Sequence, residues 1–133
     1  MTPNGSTDST ALVVAGDEET RVLLRGLLRL HHYRVVGEAE GAHQAIDLLR
    51  QTLPAVVVSD VNLVDGTFGD LIEAARRVQP MPRVVLVVPS SRPHAAADAP
   101  VRPDVVLQRP FRIRQFAEAL TPAAVPPPEP PSA

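Results

Sequence analysis

The chain has 133 residues, enough to bury one hydrophobic core and not two. Hydrophobic residues make up 44% and charged residues 21%, ordinary soluble usage that excludes a disordered chain, and apolar runs such as VVLVV are far too short to cross a bilayer. Cysteine is absent, which removes disulfides, thiolate nucleophiles and soft metal sites, and a net charge of −2 supplies no field to draw the chain to nucleic acid.

Residues 1–10 are small and polar, with neither a basic start nor an apolar segment, so no secretory signal and a cytoplasmic location are expected. LVVA (12–15) is a short β-branched run that reads as a strand. EETRVLLRGLLRLH (18–31) follows, with Val22, Leu23, Leu27, Leu28 and Leu30 at helical spacing behind an acidic first turn. YRVVGEA (33–39) is strand-like, HQAIDLLRQTL (43–53) is helical and stops before Pro54, and AVVVSD (55–60) is a buried strand. DLIEAARRV (70–78) is a helix closed by Pro80 and Pro82, and RVVLVV (83–88) is the fourth strand.

Between residues 89 and 103 four prolines leave His94–Ala99 as the longest uninterrupted stretch, under two helical turns, so a stub or an irregular loop is expected there. DVVLQ (104–108) is the fifth strand and IRQFAEAL (113–120) the last helix. TPAAVPPPEPPSA (121–133) favours extended polyproline II and is expected to be a tail, too short and too proline-rich for an effector domain. The expected organisation is therefore a tail (1–10), one domain (11–120) and a proline-rich tail (121–133), with output through contact with another protein.

Five apolar strands alternating with helices define an α/β fold, a doubly wound five-stranded parallel sheet covered on both faces by right-handed crossovers. Chemistry in such a sheet sits at the carboxyl ends of the strands, where Asp17 and Asp60 fall. The histidines His31, His32, His43 and His94 show no pairing at metal-ligand spacing.

Over about residues 11–120 these features resemble the receiver domain of bacterial two-component response regulators. The resemblance is carried by VVVSDVNL, with Asp60 ending strand three and Asn62 two residues later, by DG (65–66), Gly69 and RPF (109–111), and by LVVAGDEETRVLL, where Arg21 gives the register. It implies the flavodoxin-like receiver fold and a phosphorelay role. In that family the strand-three aspartate accepts a phosphoryl group from a histidine kinase and an acid pair after strand one holds Mg²⁺. A Ser/Thr after strand four and an aromatic in strand five register the modification, and a lysine contacts the phosphoryl oxygens.

Carried over position by position, Asp60 is the phosphoacceptor and Arg109 takes the phosphoryl-contact position. The acid pair falls on Ala15 and Gly16, with Asp17 one residue beyond. Mg²⁺ requires octahedral oxygen ligands, and the donors left are Asp17, Asp60 and the backbone carbonyl of Asn62. Val88 stands at the hydroxyl position, with Ser90 and Ser91 two and three residues further on, and Val106 stands at the aromatic position. Arginine for lysine at 109 keeps the charge in a planar fork, and the chain has no lysine at all. The resemblance also implies a cis Arg109–Pro110 bond. Arg21, Arg25 and Arg29 recur at i, i+4 along helix one, either as a solvated face or as a docking stripe near where the family receives its kinase.

Three functions compete. The first is a stand-alone pseudo-receiver, not an enzyme and without a cofactor, acting by phosphorylation-independent protein–protein interaction. The second is a working phosphoreceiver that takes a phosphoryl group on Asp60 from a histidine kinase, with Mg²⁺ held through Asp17. The third, a flavin carrier of flavodoxin type, needs a phosphate cradle after strand one, where Asp17, Glu18 and Glu19 would repel the phosphate. The partner expected is a signalling protein, a histidine kinase or phosphotransfer protein, and neither nucleic acid nor a membrane.

Overall fold

The computed structural model describes residues 9–98 and 100–121. Of the expected tails, 1–10 and 121–133, residues 1–8 and 122–133 lie outside the described residues, and Thr10 already belongs to the first strand. The elements run β1 (Thr10–Val14), α1 (Glu18–Leu30), β2 (Arg34–Ala39), α2 (Ala42–Thr52), β3 (Val56–Asp60), α3 (Phe68–Ala75), β4 (Arg83–Val88), a 3-10 turn (Ala95–Asp98), β5 (Val105–Gln108) and α4 (Ile113–Leu120).

The strands form one sheet in the order β2-β1-β3-β4-β5, every pair parallel. β1 and β3 are buried along their whole length, as continuous β-branched runs in a sheet covered on both faces must be. Their side chains alternate between two cores. Leu12, Val14 and Val57 face Leu49, Leu71 and Ile72 on the α2–α3 side, whereas Val13 and Val58 face Leu24, Leu28 and Phe116 on the α1–α4 side. β1 and β3 are paired in register up to Val14 opposite Ser59, so the loops after both strands open at the same end of the sheet. That is where the strand order reverses.

Local chemistry sets the helix ends. Asp17 is the N-cap of α1: its carboxylate accepts from the Thr20 N–H at 2.9 Å, and Glu18 and Glu19 complement the helix dipole. α3 begins at Phe68, two residues before the expected start, because Thr67 and Asp70 form a reciprocal capping box. It also stops at Ala75, three residues short of the expected end. The fourth crossover contains a single 3-10 turn, in line with its proline spacing. Arg109–Pro110 is cis, as is Gln79–Pro80. No helix among the described residues is long and apolar enough to cross a membrane.

Candidate functional site

Asp60 closes β3 and is only 3% exposed; its Oδ1 accepts from the Val61 N–H at 2.8 Å. Burial pushes its carboxyl above the ordinary carboxylate value; the Val61 N–H and the Arg109 guanidinium act against that, and the charge of Asp17 adds to it. Asp17 shifts the other way. The Thr20 backbone N–H and then the Thr20 hydroxyl hold its carboxyl low, with a smaller contribution from Arg109. Asp60, Asp17 and Arg109 thus share one electrostatic environment, but the Asp17 carboxylate is committed to the first turn of α1 through both of its oxygens.

The tip of β1 differs from what a divalent cation requires. Ala15 is fully buried, its N–H donates to the Ala39 carbonyl at 3.0 Å, and its own carbonyl accepts from Arg21 Nη1 at 2.8 Å. The Gly16 N–H donates to the Asn62 carbonyl at 2.9 Å, so the backbone oxygen that a cation would use already has one of its two lone pairs engaged. Among the described residues no three His, Asp or Glu side chains gather where they could hold a metal. The residues present therefore do not fit the Mg²⁺ that a receiver fold implies: two carboxylates are missing, one is turned to a helix cap, and the backbone oxygen is shared with the Gly16 N–H.

The remaining positions are placed as follows. Val88 ends β4 buried, and its carbonyl accepts from the Arg109 N–H at 2.9 Å. Ser90 and Ser91 are exposed beyond it. Val106, on the edge strand β5, is 45% exposed and offers no ring to rotate inward. Arg25 pairs with Glu38 at 2.9 Å and Arg21 binds the Ala15 carbonyl, so two of the three stripe arginines fasten α1 to its neighbours. Arg29 is exposed.

Two features are not legible in the sequence motifs. The first is a brace: Gly41, the N-cap of α2, brings no side chain, and Asp65 from the loop after β3 caps that helix instead. Its Oδ1 accepts from the His43 N–H and its carbonyl from the Ala42 N–H, both at 3.0 Å. The second is a groove of about 380 Å³ lined by Leu23, Leu27, Arg109, Pro110, Phe111 and Ile113, between α1 and the start of α4. Leu23 and Ile113 are 44% and 55% exposed. The available signal was that Leu23 lies off the buried stripe of Thr20, Leu24 and Leu28.

This five-stranded parallel sheet in the order β2-β1-β3-β4-β5, with its alternating helices, is the fold of response regulator receiver domains. The chain is similar to the receiver domain of AraT, a response regulator from Geobacillus stearothermophilus, with a TM-score of 0.73 and 19% identity over 84% of this chain and 88% of that one. It is also similar to the receiver domain of the PhyR response regulator of Erythrobacter litoralis, with a TM-score of 0.69, 19% identity and coverage of 88% and 96%. A receiver domain protein from Clostridium thermocellum superposes with a TM-score of 0.71 at 14% identity, covering 84% of this chain and 90% of that one. Among curated sequences the chain is 28% identical over 111 residues to Histidine kinase P4 of Formosa agariphila. The match takes in 81% of this chain and 8% of that protein. No protein-family model matches.

Proposed function

We propose that this chain is an atypical receiver, a cytoplasmic signalling module without enzymatic activity that acts by contact with another protein whether or not Asp60 is phosphorylated. The observation that carries this reading is the tip of β1, where Ala15 and Gly16 supply no carboxylate and the Gly16 N–H takes the Asn62 carbonyl. Phosphoryl transfer to an aspartate depends on positioning and on neutralising charge on the moving oxygens. Asp60 remains at the family position with Arg109 close enough to influence its charge, but among the described residues no cluster of acids or histidines gathers there to hold a metal.

The relay itself is registered by groups that this chain lacks. Valine at 88 cannot donate a hydrogen bond to a phosphoryl oxygen, and valine at 106 carries no ring. The partner surface best supported is the groove between α1 and the β5–α4 loop, apolar at Leu23, Leu27 and Ile113 with Arg109 at its side, suited to a helical signalling protein such as a histidine kinase or phosphotransfer protein. A net charge of −2 supplies no field that favours nucleic acid as the partner.

Incubation with acetyl phosphate and Mg²⁺, followed by intact-mass measurement, tests the proposal. The expected result is an unchanged mass. A gain of one phosphoryl group that disappears in Asp60→Asn would instead establish the alternative, a working phosphoreceiver.

A further inference from the structure

We infer that the cation site is shut by the backbone as well as stripped of its acids, so that restoring the two acids does not restore metal binding. This deepens the metal-independent reading above and rests on it. A Cβ added at position 16 would lie 2.8 Å from the Asn62 carbonyl oxygen, closer than real Cβ contacts come. The obstacle is main chain, so no side-chain rotation relieves it. The oxygen that blocks an aspartate there is also the one that a cation would need, and it accepts the Gly16 N–H at 2.9 Å.

Retreat of the loop is opposed from its far side. The Val64 N–H donates to the Glu40 carbonyl and the Ala42 N–H to the Asp65 carbonyl, each at 3.0 Å, while the Asp65 carboxylate holds the His43 N–H. There is little slack at Gly66, which at φ +62° would place a Cβ 2.6 Å from that of Ala42. Residues 62–66 are thus tied to β1 at one end and to the start of α2 at the other. Moving Asn62 off Gly16 loosens several hydrogen bonds together. Position 15 adds its own obstacle, because Ala15 is fully buried and an aspartate there would place a charge in the core.

The test is a Mn²⁺ titration of the wild type and of the double variant Ala15→Asp/Gly16→Asp, read by paramagnetic broadening of the amide signals around Asp60. Alongside it, Gly16→Ala is compared in thermal unfolding with Gly26→Ala, a helical glycine of α1 with nothing within 4 Å of its added Cβ. No saturable broadening is expected in either protein of the titration. Gly16→Ala should lower the Tm by at least about 3 °C, while Gly26→Ala should raise it. Saturable Mn²⁺ binding by the double variant with a silent wild type overturns this inference and leaves the metal-independent reading standing. Binding by the wild type overturns that reading itself. If the double variant does not fold, the alanine pair decides alone: a Gly16→Ala protein as stable as the wild type overturns the closure.

Discussion

Replacing Asp60 with asparagine should make the protein more stable at neutral pH, by on the order of 1–2 kcal/mol, because a buried charge is removed while the acceptor for the Val61 N–H is kept. The sign follows from the direction of its shift. Burial raises the folded-state pKa above the ordinary carboxylate value of 3.8, so the folded protein binds a proton more readily than the unfolded chain. The burial penalty is absent below the unfolded pKa, grows as pH rises toward the raised folded value, and is fully present above it. The advantage of Asp60→Asn should therefore shrink on acidification and vanish below the unfolded pKa. Asp17 contributes with the opposite sign: its pKa is lowered, so its stabilisation is present above 3.8 and lost as pH falls through the folded value. Since Asp17 is common to both proteins, the difference between wild type and variant isolates Asp60. Urea unfolding across the acid range checks this, and a variant less stable at neutral pH would contradict it.

The largest loss of stability is expected at Phe116. Substitution by alanine should cost about 3–5 kcal/mol in urea unfolding, a large share of the roughly 5–15 kcal/mol that holds a domain together. Phe116 is fully buried, stacks on Phe111 with ring centres 5.8 Å apart, and lies 6.2 Å from the His31 ring. α4 has only eight residues, too few to persist without its packed face, which is Phe116, Ala119 and Leu120. Arg83 Nε assists by donating to the Ala119 carbonyl at 2.8 Å. Because Phe111 also walls the groove beside α1, the same variant should disturb the proposed partner surface. A cost under about 1 kcal/mol would mean that α4 is held by something other than this ring.

The parallel sheet was readable because its evidence is local and redundant. Val56, Val57 and Val58 have no polar neighbour until Ser59, and Pro54, Pro80 and Pro82 punctuate the crossovers beside them. The proline spacing between 89 and 103 likewise admitted no full helix, and one 3-10 turn is found. What the sequence could not display were pairings made at long range. The Asp65 cap on α2 joins residues 22 apart, and the Gly16–Asn62 hydrogen bond joins two strand tips. A glycine at 16 read only as a missing carboxylate; its lack of a Cβ proved to be the space in which the β3–α3 loop rests. The arginine stripe is a related case, since i, i+4 spacing says which face Arg21 and Arg25 share but not that they bond to Ala15 and Glu38.

The central claim, that no divalent ion is gripped beside Asp60, is met most directly by ¹⁹F NMR of the protein with Mg²⁺ and beryllofluoride, a phosphoryl mimic that seats on an aspartate only with a bound cation. The account predicts free beryllofluoride signals alone, unchanged on adding the protein. New Mg²⁺-dependent resonances that vanish in Asp60→Asn would contradict it.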